Sequence, residues 1–299
     1  MAKDNEEQKA EFSEAPPRVS GLQRFIRVFF GRKIVIFGLI VIVVLVIAAI
    51  FAPWIAPYDP YRPSLREALD QPSAEHLLGT DRVGRDLLTR IIYGSRTSLI
   101  VGFMAIGIAA TVGMTLGLLA GYFGGWTSII IMRYVDAQMT FPMILFALTV
   151  AAMLGGGIGN IIIAIGISLI PAYARLMCGQ VLTIKQNDYI TAAHAIGASN
   201  QRVMMQHIAP NCFPPLIVLV TLQLGHAILA EAALSYLGIG IDPPQAAWGA
   251  MVSEGYLHLL TNPMLSFAPG VAIMLVVFAF NMVGDGLRDA LDPRLRGTL

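Results

Sequence analysis

Charged side chains are scarce in this chain. Only 13% of its 299 residues are Asp, Glu, Lys or Arg, whereas soluble domains carry roughly 25%. Hydrophobic residues make up 56% of the sequence, and the mean hydropathy is +0.68. This balance is typical of an integral membrane protein. The formal net charge of +1 also excludes a bulk attraction for nucleic acids or acidic substrates.

Cysteine is rare as well, and the residue patterns of enzyme active sites are missing. Cys178 and Cys212 form neither a disulfide framework nor a metal-ligand spacing, and the five histidines are scattered. The sequence contains no G-x-x-x-x-G-K-[ST] loop, which would cradle nucleotide phosphates. We therefore expect no catalytic residues, no metal site and no cofactor bound by this chain.

Long apolar runs, in contrast, recur along the chain, and a bilayer crossing takes about 20 apolar residues. They predict an all-α integral membrane fold with six transmembrane helices. The predicted spans are residues 34–56, 97–122, 126–154, 161–178, 214–237 and 267–283. Because the run at 34–56 is too long for the core of a signal peptide, we interpret it as a membrane helix.

These runs divide the chain into three parts. Residues 1–20 are polar without an apolar period, which predicts a disordered tail. Residues 21–33 form a basic segment that either lies on the membrane surface or only flanks the first span. We expect residues 1–33 to be cytoplasmic, residues 34–96 to hold the first transmembrane helix and an extracytoplasmic loop, and residues 97–299 to form the core transmembrane domain.

Lys and Arg residues predict which way the chain crosses the membrane, because cytoplasmic loops carry an excess of them. An inside N terminus places fourteen of the 20 Lys and Arg on the cytoplasmic side. The other six are arginines that all lie between residues 57 and 96. The same orientation makes both termini cytoplasmic and places residues 179–212 on the cytoplasmic side.

Small residues recur at every fourth position of the second run and just beyond it. They are Ala105, Ala109, Gly113, Gly117, Gly121 and Gly125. This spacing lets two helix backbones approach closely. It predicts a close helix–helix interface, which either slides during function or serves as static packing.

A polar interval at residues 188–210, DYITAAHAIGASNQRVMMQHIAP, keeps helical spacing between two apolar runs. It predicts two short helices joined at Gly197, which would adopt the left-handed conformation that ends a helix. Ser199 would cap the second helix, and Pro210 would end it.

The same residues predict the first helix of this interval and also leave two alternative structures open. Asn187 or Asp188 would cap the first helix, and Ile190, Ala193 and Ile196 recur at helical spacing. An ordinary loop hairpin or a DNA-binding helix-turn-helix has the same local shape. DNA binding is disfavoured, because the interval and its flanks carry too few cations to neutralise several phosphates.

The interval resembles the EAA loop of ABC-importer permeases, whose coupling helices dock on cytoplasmic ATPase subunits. The family pattern places E-A-A three residues before Gly, and Ala192, Ala193 and Gly197 fit it. Thr191 stands where the family has Glu, which removes the carboxylate but keeps the helix–Gly–helix shape.

Three further segments carry the same resemblance in family order. They are HLLGTDRVGRD at 76–86, EAALSYLGIGIDPPQAAWG at 231–249 and GDGLRDALDP at 284–293. Together with the loop they resemble the dipeptide/oligopeptide/nickel branch of these permeases, in its second-subunit (DppC/OppC) form.

The resemblance implies a non-hydrolytic permease subunit in a bacterial inner membrane. It implies a second homologous permease, an extracytoplasmic solute-binding protein and two cytoplasmic ATP-binding subunits that use ATP and Mg. Peptides are the implied substrate, and nickel chelates, glutathione or opines are the alternatives. The implied ATPase-coupling residues are Tyr189, Thr191, Ala192, Ala193, Gly197, Ala198, Ser199, Arg202, His207 and Pro210.

Two groups outside the loop leave alternatives open. Glu231 is an ionisable residue in a predicted span, where a charge costs around 3 kcal/mol on insertion scales. With Ser235 it either shapes the pathway or its outer gate, or it holds the nearby Pro-Pro loop through backbone bonds. Asp81, Arg85 and Asp86 form either a charged cluster at the membrane surface or part of a solvated loop.

Two rival classes of function are weighed against the permease. An ion-coupled secondary transporter predicts inverted repeats and carboxylates near the bilayer midplane, and neither is evident in the sequence. A membrane sensor or scaffold predicts a soluble output domain, and no stretch of the sequence has that composition. The permease is therefore the favoured interpretation.

Overall fold

The computed structural model describes residues 21–291, and the regular secondary structure within that range is helical apart from one isolated bridge between Thr80 and Asp86. The predicted disordered tail, residues 1–20, and the end of the C-terminal motif, residues 292–299, lie outside the described residues. The helices are α1 (Gly21–Gly31), α2 (Lys33–Ile55), α3 (Leu87–Phe123), α4 (Gly125–Met139), α5 (Met143–Leu154), α6 (Ile158–Ile184), α7 (Asp188–Ala195), α8 (Asn200–Tyr236), α9 (Trp248–Tyr256) and α10 (Met264–Leu291).

Five of these helices, α2, α3, α6, α8 and α10, are long and apolar enough to cross a membrane. The predicted third span differs, because α4 and α5 are bent by 93° at a short break and count as one span only if taken together. Pro142, a residue type that can kink a helix, lies at this break, so residues 126–154 form a bent pair of helices and not one straight helix. The residue before a proline disfavours the α conformation, so α4 ends before Phe141 and Pro142.

Helix α3 begins well before the predicted start at residue 97. Asp86 caps it, since its carboxylate accepts a hydrogen bond from the Thr89 N–H at 2.7 Å. The first turns carry polar residues that are buried, and Arg90 is only 3% exposed. The prediction missed these turns because buried charges interrupt the apolar pattern.

The small-residue stripe of α3 packs against α6, and these two helices make the most extensive helix pair among residues 21–291. A Cβ atom at Gly113 would lie 2.6 Å from the Ile170 carbonyl oxygen, and one at Gly121 would lie 2.7 Å from Val181 Cβ. The predicted close interface is therefore confirmed. Gly125 does not belong to it, because it begins α4 and has open space around it.

Candidate functional site

The turn between α7 and α8 has the predicted helix–Gly–helix geometry. Gly197 has a φ of +83°, in the left-handed region. Its N–H donates to the His194 carbonyl at 2.9 Å, and the Ala198 N–H donates to the Ala193 carbonyl at 3.0 Å. This pair of bonds defines a Schellman motif, which satisfies the last carbonyls of a helix. The chain thus leaves α7 in a closed, hydrogen-bonded turn.

The capping predictions have different outcomes at the two helices. Ser199 caps α8, because its Oγ accepts a hydrogen bond from the Arg202 N–H at 3.3 Å. No side-chain hydrogen bond caps α7, so that prediction is wrong. The Asn187 side chain is engaged elsewhere, since its Nδ2 donates to the Ile184 carbonyl at 3.0 Å, in the last turn of α6.

Pro210 does not end the second helix, which is a correction to the sequence prediction. The chain runs helically from Asn200 to Tyr236, through a π-helical turn at Val203–Ile208 and an α-helical part that starts at Ala209. A proline is tolerated in the first turn of an α-helical segment, because its N–H would have no partner there. The π turn thus joins the hairpin directly to a membrane span.

Apolar side chains attach one side of the hairpin to the core. Ile190, Val203 and Ile208 are almost fully buried in the main hydrophobic cluster. Ile196, which continues the helical spacing of Ile190 and Ala193, is instead 86% exposed. The spacing fails there because Ile196 is the last residue before the left-handed turn, where the chain leaves the helical path.

The other side of the hairpin forms a concave surface, and the hollow that it encloses has a volume of about 510 Å³. It is lined by Tyr189, Ala192, Ala193, Ile196, Gly197, Ala198, Arg202 and His207. All but Ile196 are residues that the resemblance implied. Thr191, Ser199 and Pro210 do not line it, although all three are exposed. The sequence signal that could have identified Ile196 as a lining residue is its position as an apolar residue directly before the glycine of the turn.

Tyr122 at the end of α3 anchors this hairpin, and sequence reasoning missed it. Its hydroxyl donates to Asn200 Oδ1 at 2.8 Å, and its carbonyl accepts from Lys185 Nζ at 2.7 Å. The Tyr122 ring lies 6.4 Å from the His194 ring. These contacts tie the hairpin to the ends of α3 and α6.

Glu231 and Ser235 lie together in α8, far along the helix from the hairpin. Glu231 is fully buried, and its carboxylate accepts hydrogen bonds from Ser98 Oγ at 3.2 Å and Ser235 Oγ at 2.8 Å. Ser235 Oγ in turn accepts from the Ile241 N–H at 3.4 Å. The carboxylate therefore links α3 to α8, and the following loop is held through Ser235.

Asp81, Arg85 and Asp86, at the end of the segment between α2 and α3, are buried, so the solvated-loop alternative is wrong for these three residues. Arg85 Nε lies 2.6 Å from Asp81 Oδ2, and Arg90 Nε lies 3.5 Å from the same oxygen. Arg85 also approaches Glu254 of α9 at 3.8 Å. Removing one partner of a buried ion pair is strongly destabilising, so this cluster fixes the segment on α3 and α9.

The described His, Cys, Asp and Glu residues are the candidates for a metal site. Among residues 21–291, no group of three or more His, Cys, Asp or Glu is placed to hold a metal ion. His76 Nδ1 instead lies 2.9 Å from Asp86 Oδ1, in the buried segment before α3. The His76 ring thus makes a structural contact at the start of α3.

Comparison with known proteins places these features in a family. The family model described as "Binding-protein-dependent transport system inner membrane component" matches residues 113–297. A second, described as "N-terminal TM domain of oligopeptide transport permease C", matches residues 20–76.

Two curated relatives match most of the chain. The dipeptide transport system permease protein DppC of Alkalihalophilus pseudofirmus is 46% identical over 89% of this chain and 87% of its own length. The glutathione transport system permease protein GsiD of Escherichia coli is 43% identical over 91% of this chain and 90% of its own length.

One solved structure has a similar fold. It is a chain of the MetNI methionine ABC transporter in inward-facing conformations, with a TM-score of 0.57 and 17% sequence identity. The match covers 69% of this chain and 98% of that chain. At this identity the likeness shows the fold alone.

Proposed function

This chain belongs to the family of binding-protein-dependent transport system inner membrane components, of the oligopeptide permease C type, and we propose that it forms the peptide pathway of an ATP-driven importer. The observation that carries the proposal is the hairpin after α6. Its concave surface is exposed, while its opposite side is packed and hydrogen-bonded to membrane helices. A partner that pushes on this surface moves the spans.

The proposal includes an orientation. Both termini and the hairpin are cytoplasmic, and the bent pair α4–α5 serves as one of six spans. The excess of Lys and Arg on that side supports this arrangement. The segment between α2 and α3 and the loop after α8 then face outward, in a bacterial inner membrane.

The partners follow from the family and from what the chain lacks. Two cytoplasmic ATP-binding subunits dock on the hairpin through the ten coupling residues and use ATP and Mg, because this sequence has no phosphate-binding loop. A second homologous permease completes the pathway, and an extracytoplasmic binding protein delivers the substrate. ATP-driven closure of the ATPases moves the hairpins, and the spans shift to open the pathway to one side.

Peptides are the proposed substrate class. The relatives named for dipeptide and glutathione transport are of similar identity to this chain, and both of those compounds contain peptide bonds. Nickel chelates and opines are the alternatives without this support. Glu231 and Ser235 hold the outer end of the pathway in shape by linking α3 and α8.

Reconstitution tests this function. The complete transporter in proteoliposomes should accumulate labelled Ala–Ala only when ATP and loaded binding protein are both present. Parallel assays with glutathione and a nickel chelate decide between the substrate classes. Uptake driven by an ion gradient without ATP would show a secondary transporter and overturn the proposal.

A further inference from the structure

A cavity of about 360 Å³ lies where α4 breaks before α5, and α6 and α8 close its other sides. Its polar lining consists of Gln138, Ser168, Gln223 and His226, and its apolar lining includes Phe141 and Phe146. No Asp, Glu, Lys or Arg is among its lining residues. The volume falls within the range of roughly 300–1,000 Å³ found for small-molecule sites.

The polar residues of the cavity lie far from the ends of the long helices that carry them. At a rise of 1.5 Å per residue, Ser168 is about 15 Å from the start of α6, and His226 is about 15 Å from the end of α8. The hydrocarbon core of a bilayer is about 30 Å thick. The polar groups of the cavity therefore lie near half the depth of the membrane.

The Gln138 side chain is held in one orientation by a carbonyl group that a proline leaves without its usual helical partner. Pro171 has no N–H to donate to the Ile167 carbonyl four residues earlier in α6. Gln138 Nε2 donates to that carbonyl instead, at 2.7 Å. The Gln138 side chain is thereby fixed, and its other atom, Oε1, is buried without a hydrogen-bond partner among the described residues. Gln138 itself is only 7% exposed.

Two further groups offer hydrogen bonds from α8. His226 Nδ1 lies 3.1 Å from the Leu222 carbonyl, and a carbonyl only accepts, so Nδ1 carries the proton. In a neutral ring Nε2 is then an acceptor. Gln223 is half-buried and makes no hydrogen bond with another described residue, which leaves both its donor and its acceptor free.

We propose that this cavity is a transit site that holds the peptide backbone of the substrate halfway across the membrane. Gln138 Oε1 and His226 Nε2 accept hydrogen bonds from peptide N–H groups, and the Gln223 carboxamide pairs with a peptide unit. Phe141 and Phe146 provide apolar surface for variable side chains. This inference rests on the proposed peptide transport.

The uncharged lining determines the selectivity of the site. Carboxamide and imidazole groups match the donors and acceptors of a peptide bond, which every peptide shares. Without a fixed charge, the site does not discriminate between peptides by the charge of a side chain. The site therefore passes many short peptides and leaves selection to the binding protein.

The first test compares substitutions at two neighbouring positions of α8, made separately in the complete transporter. Gln223→Leu removes the free carboxamide, and Thr221→Val is the matched control, because Thr221 Oγ1 only donates to the Ile217 carbonyl of its own helix. We expect Gln223→Leu to lower uptake of both Ala–Ala and Leu–Leu about tenfold. ATP hydrolysis stimulated by loaded binding protein should be unchanged.

Other results overturn the site. Uptake equal to that of Thr221→Val, or a loss of stimulated ATP hydrolysis in step with uptake, shows that Gln223 does not hold substrate. Absence of peptide uptake by the unmodified transporter overturns the proposed function together with the site. If the unmodified transporter takes up peptides and Gln223→Leu does so equally well, the site is overturned and the proposed function is not.

A labelling experiment gives an independent measurement that does not depend on turnover rate. Gln223→Cys and, separately, Thr221→Cys are introduced after Cys178 and Cys212 have been replaced by alanine. During turnover with binding protein and ATP, added Ala–Ala should slow N-ethylmaleimide labelling at position 223 and leave position 221 unaffected. Equal rates with and without Ala–Ala at position 223 would contradict the proposal.

Discussion

Gly197 is constrained by its backbone and not by its surroundings. Its φ of +83° lies in the left-handed region, yet an added Cβ atom would meet no atom within 4 Å. A side chain at this position therefore strains the turn without creating a clash inside the chain. The same side chain would project from the concave surface that we assign to the ATPase subunits.

Gly197→Val tests this residue. The left-handed conformation costs a residue with a side chain on the order of 1–2 kcal/mol, and the valine also crowds the docking surface. We expect a normal amount of protein in the membrane, lost transport, and ATPase subunits that bind weakly or no longer respond to loaded binding protein. Immunoblotting, uptake and ATPase assays measure these three quantities.

Two controls separate the backbone effect from general damage. Gly197→Asn should retain much of the transport, because Asn visits the left-handed region more readily than valine. Gln201→Ala changes an exposed residue of the adjacent turn and should be mild. If Gly197→Val transports as well as the unmodified protein, this turn is an ordinary loop.

Tyr122 and Asn200 provide a second test at the level of single residues. The hydrogen bond from Tyr122 to Asn200 joins α3 to the hairpin, and such a bond contributes about 1 kcal/mol. Tyr122→Phe and Asn200→Ala should each lower stimulated uptake about fivefold. The double variant should be no worse than either single one, since the pair acts as a unit. Additive losses would show that the two residues act separately.

Two secondary-structure elements are irregular, and both adjoin the sites that we propose for function. The break between α4 and α5 opens the central cavity, and the π turn of α8 joins the hairpin to a span. The break lies at Pro142 of the predicted third span, and the π turn lies in the predicted second short helix of the hairpin. π turns occur mostly at functional sites, and here the turn begins four residues after the hinge cap Ser199.

The orientation of the hairpin and of the loop after α8 is tested by labelling. Both Ser199 and Gln245 are exposed in the structure, and the proposed topology places them on opposite sides of the membrane. In a background without Cys178 and Cys212, Ser199→Cys and Gln245→Cys are introduced separately. An impermeant thiol reagent applied outside should label position 245 and spare position 199. The reverse pattern would contradict both the orientation and the coupling role.

We propose that the whole molecule provides a pathway and a lever, and that its partners supply the energy. Helices α6 and α8 line the cavity at the α4–α5 break, and the hairpin presents an exposed concave surface. The segment between α2 and α3 is fixed on the bundle by its buried ion pairs. These features suit a subunit that receives motion at one end and controls access at the other.

Hydrolysis by the isolated chain is therefore expected to be absent. Purified in detergent without other subunits, the protein should release no phosphate from ATP above the level of a blank. Addition of the two ATP-binding subunits and the second permease should produce hydrolysis that loaded binding protein stimulates. Sustained, stoichiometric hydrolysis by the isolated chain would refute this division of labour.

Features built from neighbouring residues could be read directly from the sequence. The left-handed Gly197, the Ser199 cap and the close interface at Gly113 and Gly121 were all predicted, because each depends on a local hydrogen bond or a short repeat. The long apolar runs likewise indicated the spans, and four short motifs indicated the family. Helix ends were less well predicted where buried charges or a π turn interrupted the apolar pattern.

Contacts between distant residues were decided only when the chain folded. Tyr122 meets Asn200, Gln138 replaces the N–H that Pro171 lacks, and Arg85 approaches Glu254. Each pair joins different helices or loops, so no local pattern marks either partner. Burial also decides between alternatives that the sequence leaves open: Asp81, Arg85 and Asp86 could belong to a solvated loop or a charged cluster, and packing removes all three from water. The tertiary structure therefore determined which polar groups are satisfied and which remain free to bind.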